Sequence, residues 1–235
     1  MKTLKKIDRL PVLDALRGFA MLWMTIFHFS FDLNHFGWIQ QDFYSSPVWT
    51  WQRSCIVSLF LFCVGWSQAL AEHFSLKRWL QITLCAALVT ASSYAMYPNS
   101  FIYFGVLHGV AGMLLVLWAL KPLGQWLWLV GAACWLLFFY PPFIANDMPW
   151  NVLGLISQKP ITEDYVPILP WLAVVCFGYA FGLQLKMMKK KGLSVTLNPF
   201  FRPLTVLGRY SLRYYMLHQP ILIGMLWLIT PLIRP

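Results

Sequence analysis

The chain has 235 residues, 59% of them hydrophobic and 11% charged, with a mean hydropathy of +0.61 and a formal net charge of +10. Soluble domains lie nearer half apolar and a quarter charged, so a water-soluble globular protein is excluded. An all-α, polytopic membrane helical bundle is expected, read as a single domain over residues 1–235. The basic balance implies no nucleic acid, because no soluble domain with interleaved aromatics accompanies it.

In chain order, MKTLKKIDRLP is basic. The apolar run after it is full length and ends in no small-residue cleavage site, so it is expected to stay as a first span. Seven apolar runs predict spans at about 12–33, 49–71, 78–96, 102–120, 124–143, 167–186 and 206–230. The fifth is expected to stop at Pro141-Pro142, which cannot continue a helix. Gly105-x-x-x-Gly109 and Gly178-x-x-x-Gly182 predict close helix packing. The longest connection, roughly 144–166, carries Asn146, Asp147, Glu163 and Asp164 and is a candidate lid or acceptor-binding loop. The five cysteines lie singly in apolar runs and have neither metal-ligand nor redox spacing.

Lysine and arginine placement sets the expected orientation. With the N-terminus cytoplasmic, the inner side receives all the basic residues except Arg53, Lys159 and Arg234, and the outer loops hold Asp42, Asp147, Glu163 and Asp164. Seven spans then leave the C-terminus outside. The cluster from Lys186 to Lys191 reads as a topology determinant touching anionic lipid. Helping to dock an acidic nucleotide from the cytoplasm is its alternative role.

The first span is the chemically unusual one. LDALRGFAMLWMTIFHFSFDLN, Leu13 to Asn34, is apolar enough to cross a bilayer yet carries Asp14, Arg17, His28 and Asp32. Steps of three, eleven and four residues put all four on one helical stripe. A charge near the bilayer centre costs roughly 2.5 to 3.5 kcal/mol, so such groups face a bundle interior and mark a site. Asp32, one turn beyond His28, is placed to orient its imidazole so that the free nitrogen acts as a general base. His108, near the outer end of the fourth span, is a second candidate base. His218, in RYYMLHQP of the seventh span, is as consistent with an interhelical hydrogen bond as with a site contact. His35 falls in the first outer loop. Arg17 either holds phosphates and orients Asp14 or snorkels to the headgroups. Scattered over several helices without ligand spacing, these histidines predict no metal site, and the chain has no Ser nucleophile elbow, phosphate-cradling Gly loop or HExxH signature.

RLPVLDALRGFAMLWMTIFHFSFDLN resembles the opening of the bacterial membrane proteins grouped with the heparan-α-glucosaminide N-acetyltransferase catalytic domain. SLFLFCVGWS, IYFGVLHGVAG, DYVPILPWLAVVCFGYAFG and LGRYSLRYYMLHQPILI resemble later blocks of that family, in the same order. The wider clan of membrane acyltransferases has a similar first helix, with Arg, ten residues, then His, matched here by Arg17 and His28. The resemblance implies an integral membrane acyltransferase that moves an acetyl group from cytoplasmic acetyl-CoA to an amine or hydroxyl of a sugar or glycan outside. Taken with the residue pattern above, His28, Asp32, His108 and His35 are catalytic candidates, and Arg17, Asp14 and His218 are candidates for binding the coenzyme; the resemblance itself matches Arg17, His28 and His35. In the family's lysosomal members the catalytic His follows the first helix in the outer loop, with Asn on the helix, so the role falls to His28 or to His35. The implied partners are the lipid bilayer, acyl-CoA and a glycan acceptor, with homo-oligomerisation left open. A bacterial cytoplasmic membrane is the implied location. Two rival readings take the polar stripe as the ion path of a coupled transporter or the chain as a non-catalytic scaffold.

Overall fold

The computed structural model describes residues 10–190 and 196–233. The N-terminal basic residues, Lys191 and Arg234 lie outside the described residues, as do the side chains of Lys189 and Lys190. Eight α-helices follow one another among the described residues: α1 (Pro11–His35), α2 (Pro47–Leu70), α3 (Leu76–Met96), α4 (Val106–Leu120), α5 (Leu127–Phe139), α6 (Ile168–Lys190), α7 (Arg202–Arg209) and α8 (Ser211–Ile233). No strand occurs among them; Phe104 and Tyr165 form an isolated bridge.

Five helical segments are long and apolar enough to cross a membrane: Pro11–His35, Pro47–Leu70, Leu76–Met96, Val106–Phe139 and Ile168–Met188. The fourth is broken at Gly124, whose φ of 56° no helix accepts, into α4 and α5. With 15 and 13 residues, these helices extend about 23 and 20 Å, short of the ~30 Å hydrocarbon layer. The expected span at 102–120 is shortened at its start and that at 124–143 at both ends, and α5 stops ahead of Pro141-Pro142. The expected last span, 206–230, is divided at Tyr210 into the short α7 and the long α8.

The described chain forms two compact units. The first comprises α1, α2 as far as Phe60, α7 and α8. Helix α1 opens on Pro11, whose ring needs no N–H partner there. It closes on Gly37, held at a φ of 73°. The Trp38 and Gly37 N–H groups donate to the Leu33 and Asn34 carbonyls, which is the Schellman arrangement that a left-handed glycine permits. Buried residues recur along α1 at Asp14, Gly18, Met21, Met24 and Asp32, whereas Phe19, Leu22, Ile26 and Phe29 are exposed. In a membrane protein that outer face is lipid-facing. Met21, Met24, Phe27, Phe43 and Ile56 form the unit's apolar core, flanked by Leu207, Tyr214 and Tyr215.

The second unit runs from Leu61 through α6. Gly65 lies against the Val175 carbonyl and Gly178 against the Phe62 carbonyl, so α2 and α6 meet backbone to backbone. Gly112 faces Ile168, and the Lys121 ammonium lies 5.9 Å from the Tyr179 ring centroid, so α4 runs alongside α6 in the same direction. Helix α5 returns, packing Trp128 and Gly131 on Phe177. Gly182 sits against Trp66, so the Gly178 and Gly182 pair makes the close helix approach expected of it, whereas Gly105 and Gly109 meet Asp164 and the Val166 carbonyl in the connection before α6 rather than a helix.

Candidate functional site

The polar stripe of α1 meets α8. His28 Nδ1 lies 2.8 Å from His218 Nε2, with ring centroids 5.0 Å apart. His218 is only 6% exposed, and its Nδ1 lies 2.7 Å from the Tyr215 carbonyl. The Tyr214 ring stacks on the same imidazole at an interplanar angle of 12°. Thr25 donates to the Met21 carbonyl at 2.8 Å, so the Tyr214 hydroxyl, 2.7 Å from Thr25 Oγ1, is the donor in that second contact. One turn further along, Asp32 Oδ1 accepts from Gln219 Nε2 at 2.8 Å. The expected pairing of His28 with Asp32 is thus replaced: adjacent residues of α8, His218 and Gln219, each take one of them. Asp32 is 3% exposed, and both Asp32 Oδ2 and Gln219 Oε1 are buried without a hydrogen-bond partner. Two acceptor oxygens lacking a donor form a ready receptor for an N–H or O–H group.

At the other end of α1, Arg17 Nη1 lies 3.1 Å from Asp14 Oδ1 and 3.5 Å from the Gly208 carbonyl. Arg209 Nε approaches Asp14 Oδ2 at 3.6 Å. Asp14 is buried while Arg209 is 45% exposed at its side chain, and Arg202 and Arg213 are exposed nearby in sequence. Asp14 therefore sits between two guanidiniums in a net basic cluster. The 11-residue step from Arg17 to His28 corresponds to about 16 Å of helix.

The remaining candidates stand apart from this seam. His35 is the last residue of α1, not a loop residue, and is exposed. His108 belongs to the second unit and has both ring nitrogens engaged there. Thr90 gives its hydroxyl proton to the Ile102 carbonyl at 2.7 Å and so accepts from His108 Nε2 at 3.0 Å, while the Gly105 N–H donates to His108 Nδ1 at 3.3 Å. Asp164 Oδ2 accepts from the Val106 N–H at 2.7 Å, so His108 and Asp164 together close the first turn of α4. The long connection is pinned by buried Asn151, which donates to the Tyr103 hydroxyl at 2.9 Å and accepts from that of Tyr165 at 2.6 Å. Burial pushes both phenols above their ordinary range. A cavity of about 380 Å³ opens on this connection, lined by Phe143, Ile144, Ala145, Asp147, Trp150 and Leu153.

Tyr214, the Tyr215 carbonyl, Thr25 and Gln219 were not singled out from the sequence. For the three on α8 the signal was present in RYYMLHQP, where five polar or aromatic residues interrupt an otherwise apolar helix.

A multi-pass helical membrane protein whose first helix carries a buried polar seam is what fold and site define together. A family model described as heparan-alpha-glucosaminide N-acetyltransferase, catalytic, matches residues 9–220. The chain belongs to that family, and membership gives it the role of a membrane acetyltransferase. Neither a curated protein nor a solved structure matches the chain.

Proposed function

We propose that this protein transfers an acetyl group from acetyl-CoA to an amine or hydroxyl of a sugar or glycan, with His28 as the reacting histidine. The observation that carries this reading is the His28–His218 hydrogen bond of 2.8 Å, deep in an apolar helix pair whose other end is basic. A charged or titratable group in such a place needs a task. A base that removes a proton from an attacking nucleophile contributes about 10²- to 10⁴-fold.

In the direct route the acceptor's nitrogen or oxygen bonds to the thioester carbonyl carbon while its proton passes to His28. The C–S bond then breaks, and the leaving sulfur recovers that proton. The alternative is an acetyl-histidine intermediate, which ping-pong kinetics distinguish. Asp32 and Gln219, each with an unpaired oxygen, are suited to receive the acceptor's N–H or O–H one turn from His28. The Arg17, Arg209 and Arg213 end suits the coenzyme's phosphates. The distribution of Lys and Arg supports placing that end at the cytoplasmic face of a cytoplasmic membrane. His28 is favoured over His108, whose ring nitrogens are both engaged, and over His35, about 10 Å further along α1.

The test uses the full chain in proteoliposomes with radiolabelled acetyl-CoA and glucosamine as the probe acceptor. Transfer that falls about 10²-fold or more in His28→Gln, with acetyl-CoA still raising the Tm, supports the reading. Normal turnover by His28→Gln, or solute flux in the absence of acyl-CoA, overturns it.

A further inference from the structure

We propose that His218 is a positioning residue for His28: it keeps a proton on His28 Nδ1 and leaves His28 Nε2 as the nitrogen presented to the reacting groups. The inference rests on the acyl-transfer reading for its purpose, but the proton placement follows from hydrogen-bond geometry between two neutral rings.

A carbonyl oxygen can only accept. The 2.7 Å contact to the Tyr215 carbonyl therefore puts a proton on His218 Nδ1. A neutral imidazole carries one N–H, so His218 Nε2 presents a lone pair. The 2.8 Å contact between that nitrogen and His28 Nδ1 needs one donor, and only His28 remains to supply it. Two protons are thus assigned over four ring nitrogens, and His28 Nε2 is left bare. His218 itself is only 6% exposed, so its ring is largely shielded from water. The His218 ring is also clamped. Tyr214 stacks on it, and the Tyr214 hydroxyl is tied to Thr25 on α1, one turn before His28.

Chemistry follows from that arrangement. The acceptor's proton moves to His28 Nε2 as its N–C or O–C bond forms. Nδ1–H stays bonded to His218 Nε2, which steadies the positive ring until Nε2 returns the proton to the departing sulfur. A histidine with the opposite tautomer would aim an N–H at the acceptor and could not begin the cycle. A carboxylate partner commonly fills this orienting role; here a second imidazole does so, itself oriented by a backbone carbonyl.

The experiment places ring-¹⁵N-histidine protein in nanodiscs and compares wild type, His218→Gln and His218→Leu, with His28→Gln used only to assign resonances. In wild type, His28 should show a protonated Nδ1 and an unprotonated Nε2. In His218→Gln the amide oxygen stands where Nε2 stood and the amide N–H can serve the Tyr215 carbonyl, so the tautomer should persist. In His218→Leu it should be lost. Transfer from acetyl-CoA to glucosamine should fall about 10²-fold in kcat for His218→Leu and recover at least tenfold of that in His218→Gln, roughly the scale of acid–base assistance. The KM for acetyl-CoA should stay level. An Nε2-protonated His28 in wild type, or Gln and Leu variants with the same tautomer, overturns the proposal. Correct tautomers without any acetyl transfer in wild type would overturn the catalytic reading and leave the proton placement standing.

Discussion

Gly18 and Gly208 oppose each other where α1 crosses α7: a Cβ on Gly18 would overlap the Leu204 carbonyl, and one on Gly208 would overlap the Asp14 carbonyl. Only two bare backbones fit this crossing, and it fixes the height at which α8 begins its run past His28. Gly208→Ala should therefore force the helices apart, at a cost of about 1–3 kcal/mol or more, the range for overpacked interiors. Thermal unfolding in detergent would register the loss, whereas Gly224→Ala, inside α8 with nothing within 4 Å of the added Cβ, should not lower the Tm.

The two ion pairs at Asp14 should differ in strength. Arg17 is 16% exposed and also touches the Gly208 carbonyl, whereas Arg209 is 45% exposed and 3.6 Å away. Removing one partner of a buried pair costs about 3–5 kcal/mol, while an exposed pair contributes under about 1 kcal/mol. Double-mutant cycles in Tm should show strong coupling for Asp14→Ala with Arg17→Ala, and weak coupling for Asp14→Ala with Arg209→Ala. Equal couplings would contradict the burial argument.

Asp164 and His108 should behave as structural residues of α4. Asp164→Ala removes the acceptor for the Val106 N–H, a loss of about 1–2 kcal/mol by analogy with helix caps. His108→Ala strands the Gly105 N–H and the Thr90 hydroxyl contact. Both variants should lower the Tm while acetyl transfer per folded molecule persists. Complete loss of turnover in a well-folded His108→Ala would instead return that residue to the list of bases.

The turn at Asp42 should hold through mild acid. The Ser45 hydroxyl and the backbone N–H groups of Ser45 and Tyr44 keep the Asp42 carboxyl below the usual carboxylate range. Because the folded value lies under the unfolded one of about 3.9, the ionised carboxylate favours the folded turn above that pH. Its contribution is lost as the pH falls through the folded value. Amide exchange at Tyr44 and Ser45, corrected for intrinsic rates, should be flat from about pH 7 to pH 5 and rise only below about pH 4. Asp42→Ala should raise it at every pH.

The polar face of α1 was legible because 3.6-residue periodicity alone groups Asp14, Arg17, His28 and Asp32. Long apolar runs similarly located α2, α3 and α6 to within a few residues. Partners were harder. Asp32 is on the right face and one turn from His28, but a helix neighbour four residues away is not obliged to bond when another helix offers a better donor. Gln219 offers that donor to Asp32, and His218 Nε2 offers His28 an acceptor, about 190 positions along the chain. The division at Tyr210 was equally hidden, since α7 and α8 are contiguous in composition and only the close crossing at Gly208 reveals the turn.

That turn at Tyr210 works as a phase marker. His218 and Gln219 are consecutive, so they point about 100° apart around α8, and their two partners are stacked a full turn apart on α1. Only one angular setting of α8 satisfies both at once. Slipping in a single residue between Tyr210 and Tyr214 would spin the helix by that same angle, leaving every component intact in sequence yet out of step, like a key cut one notch too far along its shaft.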